Sequence, residues 1–287
     1  MPDGIVVIDK PEGWTSMDVC GKRRSLLHEK RVGHSGTLDP MATGVLPVFV
    51  GQATKAVSFA ENGKKEYRAS LRLGITTDTQ DTTGTVLSEA PAQVTEEALR
   101  ALLPRFTGEI EQLPPMYSAI KINGKKLYEL ARRGIEAERK PRQVTIYELE
   151  LLGRAENGDW ELRAVCSKGT YIRTLCHDIG TALGCGGAMS ALRRTAASGF
   201  TLDGAVTLED VEREGAALLR PLESMFPDYP EYRVPDAETE RRARCGNPLR
   251  AQLADGIYRL TGTDGAFLAL SKAENGVLTS IKNFFST

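Results

Sequence analysis

The chain has 287 residues, of which 41% are hydrophobic and 26% are charged, and its formal net charge is −1. It can therefore bury a full apolar core, as one large domain or as a large and a small one. No apolar run reaches the roughly 18 residues of a membrane span, and the N-terminus lacks the basic start and long apolar centre of a signal peptide, so we expect a cytoplasmic protein.

The cysteines and histidines do not indicate a metal site or a disulfide framework. The cysteine number is odd, no C-x-x-C pair occurs, and no ligand set forms around a histidine. We therefore expect reduced thiols in the core and no bound metal. The cysteines are Cys20, Cys166, Cys176, Cys185 and Cys245, and the histidines are His28, His34 and His177.

Apolar periodicity, caps and helix breakers predict alternating short strands and helices. Ser16 is expected to cap the first helix and Thr95 a later one. Three prolines make residues 226–236 a linker, and the glycine-punctuated runs beyond it predict a small β-barrel or sandwich. In chain order the elements are a strand over 4–9, a helix over 16–28, a strand over 45–51, a helix over 52–61, a strand over 65–73, a polar loop or strand edge over 74–84, a helix over 95–108, a strand over 114–122, a turn at Asn123-Gly124, a basic helix over 125–134, strands over 144–152 and 160–167, a helix over 171–183, a strand over 188–200 and an acidic helix over 207–212.

Residues 33–48, GHSGTLDPMATGVLPV, combine glycines, a histidine, a single carboxylate before proline and an apolar run. Pro40 pushes Asp39 away from helical geometry toward extended geometry, while the glycines permit sharp turns. This mixture suits a shaped active-site loop that leads into a buried strand. Local sequence alone nevertheless favours a turn residue over a catalytic acid at Asp39.

Basic residues concentrate in residues 121–142, where eight of them stand against three acids. Because acids gather elsewhere in the chain, a nearly neutral protein can still present a surface that holds a polyanion. A solvated helix face explains such a cluster equally well. The candidate residues for contact with the backbone of such a polyanion are Lys121, Lys125, Lys126, Arg132, Arg133, Arg139 and Lys140.

Six segments, taken together, change the interpretation of Asp39. They are DKPEGWTS (9–16), GHSGTLDPMATG (33–44), KEYRASLRLG with TDTQDTTG (65–84), PPMYSAIKINGKKLYELAR (114–132), SKGTYIRTL (167–175) and LRR (192–194). In this order and spacing the chain closely resembles the TruB family of tRNA pseudouridine-55 synthases, from about residue 4 to the C-terminus.

The resemblance implies a mixed α/β (α+β) pseudouridine synthase fold, with a largely antiparallel sheet and flanking helices. It also implies a small C-terminal β-barrel domain of the PUA type that holds RNA. We expect the catalytic domain to cover residues 1–229, with a basic RNA-gripping insertion over about 119–143, and the PUA-like domain to cover residues 230–287.

The resemblance also assigns roles to individual residues. Asp39 matches the catalytic aspartate, His34 the histidine that enters the T-loop as the target base leaves, and Tyr67 the tyrosine that lies against the flipped base. Arg173 matches the arginine that pairs with the aspartate and is expected to keep it charged. The other matching positions are Asp81, Tyr171 and Leu192 in the pocket, and Lys10 with Pro11 as a support of the site.

The implied function is isomerisation of uridine to pseudouridine at position 55, in the T-arm stem-loop of tRNA, by a stand-alone enzyme. The reaction is redox-neutral, so we expect no cofactor, and we expect no membrane and no obligate protein partner. The stacked target must be flipped out at a cost of a few kcal/mol. Two alternatives remain, an RNA-guided pseudouridine synthase subunit and a tRNA-binding or folding chaperone.

Overall fold

The computed structural model describes residues 2–122 and 124–285. The helices of these residues are α1 (Ser16–Leu27), α2 (Val57–Glu61), α3 (Glu96–Leu102), α4 (Leu127–Ala131), α5 (Ile172–Ala182), α6 (Leu208–Glu214) and α7 (Ala237–Arg244). The strands are β1 (Gly4–Lys10), β2 (Val32–His34), β3 (Thr43–Val50), β4 (Lys65–Leu73), β5 (Ile75–Thr77), β6 (Val86–Glu89), β7 (Gly108–Gln112), β8 (Lys121–Ile122), β9 (Lys125–Lys126), β10 (Arg142–Arg154), β11 (Trp160–Cys166), β12 (Gly187–Ala197), β13 (Phe200–Thr201), β14 (Glu231–Arg233), β15 (Leu249–Arg250), β16 (Gly256–Thr261), β17 (Phe267–Glu274) and β18 (Val277–Asn283).

The main sheet has the strand order β1-β3-β12-β4-β11-β10-β7, with β2 added beside β3 and β13 beside β12. Adjacent strands of this sheet are antiparallel, except that β3 and β12 run parallel to each other. At that junction Gly44 lies opposite Arg194, with a φ of +102°. A Cβ at Gly44 would lie 2.2 Å from the Arg194 carbonyl oxygen, so this close approach of two strands requires glycine.

Two pairs of helices pack on the main sheet and form two apolar clusters with it. Helices α3 and α5 pack their apolar residues on β4, β11 and β12. Helices α1 and α6 cover one face of β1 and β3, through Val19 and Val211 for example. The other face of β1 and β3 is also buried, which explains why residues 4–8 form an unbroken apolar run rather than an alternating one.

A second sheet follows, with the order β14-β16-β17-β18-β15. It packs against the main sheet through an aromatic cluster that we call the inter-sheet cluster, formed by Phe59, Phe226, Phe267 and Phe284. Phe226 is its centre, with ring centroids of three other phenylalanines between 5.7 and 6.1 Å away. The same cluster contains Ile5 of β1, so both sheets contribute to one apolar core.

Most predicted elements are present, and the differences are local. The strand predicted over 114–122 is wrong, because only Lys121 and Ile122 are in a strand. Strand β7 and helix α7 were not predicted. The predicted linker contains β14 and the buried Phe226, and the predicted turn at Asn123-Gly124 includes a position outside the described residues.

The first helix shows why one predicted cap is wrong. Thr15, not Ser16, is the N-cap of α1, and it forms a reciprocal capping box with Asp18. The Ser16 hydroxyl is buried and instead bonds the backbone of Leu38, accepting from its nitrogen at 2.9 Å.

Across residues 2–122 and 124–285, no helix is long and apolar enough to cross a membrane.

Candidate active site

The loop between β2 and β3 carries Asp39 in a backbone held from several directions. The Ala42 amide donates to the Asp39 carbonyl oxygen at 3.0 Å, which closes a turn. The next carbonyl, of Pro40, accepts from the Gly13 amide at 2.8 Å. The preceding residue, Leu38, is bonded to Ser16. The segment at the start of α1 therefore fixes the residues on either side of Asp39.

Lys10 completes this support from below the loop. Its side chain is fully buried, and its ammonium donates to the carbonyl oxygens of Pro11, Trp14 and Pro40 at 2.8, 2.6 and 3.3 Å. Burial lowers the pKa of Lys10 to about 8, although the charge of Asp39 opposes that change. This geometry agrees with the supporting role expected for Lys10.

Arg173 of α5 forms an ion pair with Asp39. The Arg173 Nε lies 3.0 Å from Asp39 Oδ2, and Nη2 lies 3.3 Å from Oδ1. The guanidinium also donates to the carbonyl oxygens of Thr79 and Tyr117 at 3.0 and 2.8 Å. Only 6% of the Arg173 side chain is exposed, against 37% for Asp39, so a fixed cation orients a carboxylate that solvent can reach.

Opposing influences act on the pKa of Asp39. Burial raises the pKa of Asp39 above its ordinary value, and Arg173 opposes this while the negative charge of Asp81 adds to it. Arg173 was expected to favour the charged form, and its effect on the Asp39 pKa has that direction, although the net change is upward.

Asp81 lies beside Arg173 in a tight polar turn. Its carboxylate is 3.6 Å from Arg173 Nη1. Asp81 Oδ1 accepts from the Thr79 hydroxyl at 2.8 Å and from the Thr83 amide and hydroxyl at 3.0 and 2.6 Å. Asp81 is only 5% exposed, so these bonds offset the cost of burying its charge. It serves as a second anion that locates Arg173.

An apolar wall adjoins the carboxylate. Tyr67 of β4 and Leu192 of β12 belong to one buried cluster with Leu38 and Ala42 from the Asp39 loop. Tyr171 is the N-cap residue of α5, two positions before Arg173. The structure therefore brings Asp39, Arg173 and Asp81 together. Tyr67 and Leu192 lie in the buried cluster that includes residues of the Asp39 loop, and Tyr171 lies at the start of α5.

His34 lies on the strand that leads into the Asp39 loop, and it is half-buried. Burial and the nearby positive charge of Arg194 both lower the pKa of His34, which favours its neutral imidazole. Its Nδ1 has no hydrogen-bond partner within residues 2–122 and 124–285. The structure does not test its predicted entry into the T-loop.

Sequence reasoning assigned no role in the site to three residues that shape it. Ser16 holds Leu38, and Gln112 of β7 clamps the backbone of Tyr171 with bonds of 3.0 and 3.2 Å. Arg194 is buried behind the Asp39 loop. Only Arg194 had a signal in the sequence, since adjacent arginines in a strand must point to opposite faces and one of them must face the core.

The basic insertion begins at the site, because the Tyr117 carbonyl that binds Arg173 directly precedes Ser118. Five of the seven basic residues in the predicted set are exposed, namely Lys121, Lys125, Arg132, Arg133 and Lys140. Arg139 is tethered instead, donating to the Pro114 carbonyl at 3.1 Å and to Glu136 at 3.3 Å. Lys126 and Arg132 both lie near the ring of Tyr128, each at 5.3 Å from its centroid.

No group of three or more potential metal ligands occurs among the residues that the structure describes. The five cysteines are free thiols. Three of them are buried as expected, but Cys185 is half-buried and Cys245 is exposed, so the prediction of core thiols is wrong for those two.

Comparison with known proteins places the chain in a family. A family model for "TruB family pseudouridylate synthase (N terminal domain)" matches residues 24–172, and one for "tRNA pseudouridylate synthase B C-terminal domain" matches residues 173–226. The chain belongs to the TruB family. The predicted membership of the TruB family is therefore confirmed. Asp39, Tyr67 and Asp81 lie within the first matched region.

Several relatives of the TruB family are similar over nearly the whole chain. A protein named tRNA pseudouridine synthase B from Azoarcus sp. (strain BH72) is 46% identical over 96% of this chain and 93% of its own length. Proteins of the same name are 49% identical in Ralstonia pickettii (strain 12J), over 88% of this chain and 81% of theirs, and 41% identical in Clostridium kluyveri, over 98% and 99%.

Solved structures support the fold. A Cbf5–Nop10–Gar1 complex contains a chain that matches with a TM-score of 0.73 and 27% identity, over 98% of this chain and 85% of that one. A chain of an H/ACA RNP bound to a substrate RNA containing 2′-deoxyuridine matches with a TM-score of 0.72 and 26% identity, over 99% and 85%. The predicted pseudouridine synthase fold, with a small C-terminal β-sheet of PUA-like type, is therefore confirmed.

Proposed function

We propose that this chain isomerises the uridine at position 55, in the T-loop of tRNA, to pseudouridine, and that it acts without a guide RNA. The observation that carries the proposal is the ion pair of Asp39 with the buried Arg173, beside an apolar wall in a TruB family chain. Relatives named tRNA pseudouridine synthase B, at 41 to 49% identity over most of the chain, support the choice of tRNA as substrate.

Asp39 is the catalytic carboxylate in this proposal. The reaction breaks the bond from N1 to C1′, rotates the base and joins C5 to C1′, while C5 loses a proton and N1 gains one. An ionised carboxylate can start it by attacking the sugar or the base, or by promoting loss of the base. The partial exposure of Asp39 gives the target nucleoside access to it, and Arg173 holds its orientation.

The base must leave its stack to reach Asp39. The T-loop is structured, so flipping costs a few kcal/mol. Tyr67 can offset this by lying against the uracil, because stacking on an aromatic ring contributes about 1 to 3 kcal/mol per base. His34 fills the gap that the base leaves, as a neutral imidazole on the adjoining strand. Leu192 and Tyr171 complete the pocket.

The RNA is held outside the pocket by two further regions. The basic insertion, about residues 119–143, grips the T-arm, and the PUA-like sheet over residues 230–287 provides a second contact. Residues 1–229 then form the catalytic domain. The exposed Lys121, Lys125 and Arg132 give the insertion the charge that a phosphate backbone requires.

Replacement of Asp39 tests the proposal. Purified Asp39→Asn protein should form no pseudouridine in a T-arm transcript, while its Kd for that RNA stays near the wild-type value. A reverse-transcription map of pseudouridine locates the product at position 55. Asp203→Asn, a change at an exposed acid, is the matched control and should be fully active. Turnover by Asp39→Asn would refute the assignment.

Two other functions predict different results in the same assay. A guided subunit is the alternative favoured by the match to a chain of an H/ACA RNP, and it would be inactive on tRNA until a guide RNA is added. A folding factor would restore misfolded tRNA equally well as wild type and as Asp39→Asn. The proposed enzyme modifies purified tRNA alone.

A further inference from the structure

Arg194 is an unusual residue for the core of a protein. It is 1% exposed and is among the largest fully buried side chains. Its Nε donates to the Val45 carbonyl at 2.7 Å and its Nη2 to the Gly36 carbonyl at 3.1 Å. Within residues 2–122 and 124–285 it forms no ion pair with a carboxylate. A buried guanidinium without a counter-ion opposes folding, so its presence calls for another reason.

The position of Arg194 connects it to Tyr67. The two residues are direct cross-strand partners in the antiparallel pair of β12 and β4, so their side chains project from the same face of the sheet. The positive charge of Arg194 opposes the effect of burial on the pKa of the Tyr67 hydroxyl. Arg193, the preceding residue, projects to the other face and pairs with Asp9 at 2.7 Å.

Arg194 also touches the loop that carries the catalytic acid. Gly36 and Val45, whose carbonyl oxygens it binds, lie on either side of Asp39 along the chain. A Cβ at Gly36 would lie 3.4 Å from Arg194 Nη1 and 3.9 Å from the side chain of Lys65, another buried cation. One guanidinium therefore links the start of the Asp39 loop, the strand after it and the tyrosine of β4.

We propose that Arg194 is a positioning residue of the isomerisation, which fixes Tyr67 and the Asp39 loop relative to each other and places a positive charge behind the uracil. This inference rests on the proposed function. As the bond from N1 to C1′ breaks, its electron pair passes to the base, which becomes negative. A fixed cation in a poorly solvated site stabilises that charge without having to reorient.

Three variants test this role, namely Arg194→Lys, Arg194→Met and the control Arg193→Met. Methionine keeps an apolar side chain of similar length but removes the positive charge and the hydrogen-bond donors of the guanidinium. We expect Arg194→Met to lower kcat on T-arm RNA about a hundredfold, the loss associated with small misplacements of reacting groups. KM should stay within about twofold, because the contact matters in the transition state. Arg194→Lys should recover part of the loss, and Arg193→Met should match wild type.

A second readout does not depend on turnover. Ultraviolet titration of the tyrosines, with Tyr67→Phe to assign the signal, should show a higher pKa for Tyr67 in Arg194→Met than in wild type. If Arg194→Met does not fold, Arg194→Lys tests the inference. A wild-type kcat in Arg194→Lys would show that the two hydrogen bonds donated by the guanidinium are not needed, and would overturn the inference. Equal kcat in Arg194→Met and Arg193→Met overturns the inference as well. An inactive wild type contradicts the proposed function instead, and the titration still tests the contact.

Discussion

Asp39 experiences opposing influences that set how it responds to pH. Burial and the charge of Asp81 favour its protonated form, whereas Arg173 favours the carboxylate, and the net effect is a raised pKa. An acid that must be ionised to act loses activity as pH falls through its pKa. The acid limb of the rate profile should therefore lie at a higher pH than an ordinary aspartate would give.

Replacements of the two neighbours should move that limb in opposite directions. Arg173→Met removes the positive charge, so the pKa of Asp39 rises further and the limb moves to higher pH. Asp81→Asn removes a negative charge, so the limb moves to lower pH. Single-turnover rates on T-arm RNA across a pH series measure both shifts, and Arg193→Met serves as the unshifted control. Shifts in the same direction, or none, would exclude Asp39 as the titrating group.

Some features of individual site residues could not be predicted from the sequence. Asp39 and Arg173 were paired in advance only through the family resemblance, since 134 positions separate them and neither is distinctive alone. The raised pKa of Asp39 could not be foreseen, because it depends on how much solvent the folded loop excludes. No role was predicted for Arg194 because a sequence does not reveal which of two adjacent arginines turns inward.

At the scale of elements, two adjacent residues at the start of α1 make contacts with different consequences. One contact stabilises the helix, and the other also helps to position the site. Thr15 caps the helix at the surface, while Ser16 bonds Leu38 next to Asp39. Thr15→Ala should lower the free energy of unfolding by about 1 kcal/mol and leave kcat unchanged. Ser16→Ala should lower it by about 1 to 3 kcal/mol, because the buried Leu38 amide loses its acceptor, and should also reduce kcat.

Chemical denaturation and single-turnover kinetics measure the two effects on each variant. Thr15→Ala is the matched control, since it removes one hydroxyl from the neighbouring position. Equal kcat in both variants would mean that the bond from Ser16 to Leu38 has no part in placing Asp39.

Periodicity predicted the long elements and failed where local signals conflict with tertiary context. The strands β4 and β11 alternate cleanly and were predicted, as was α5 with Gly184 after it. The apolar residues 114–120 resemble a strand but pack as an irregular segment beside the site. Strand β7, with the sequence GEIEQ, is rich in acids and forms only because β10 offers it a free edge.

At the scale of the whole molecule, the inter-sheet cluster makes the two sheets depend on each other. Phe226 is 5% exposed and packs on residues of both. Phe226→Ala should lower the free energy of unfolding by about 3 to 5 kcal/mol, the usual loss for a buried phenylalanine. Hydrogen exchange should then rise in β1 and in β17. Val234→Ala, within the core of the small sheet alone, is the control and should raise exchange only there. Unchanged protection of β1 in Phe226→Ala would show that the sheets are energetically independent.

The proposed grip of the basic insertion on tRNA predicts a strong salt dependence of binding, since each phosphate contact contributes about 0.7 to 0.9 to the slope of log K against log salt. Replacing Arg132, Arg133, Arg139 and Lys140 with glutamine should weaken binding and reduce the magnitude of that slope by about two to three. Arg139 should contribute least, because its guanidinium is already bound to Pro114 and only 18% exposed. Filter binding over a salt series measures the slope. The double variant of Arg100 and Arg213, two surface arginines already paired with acids, is the control. A quadruple variant with the wild-type slope would show that the RNA backbone follows another surface.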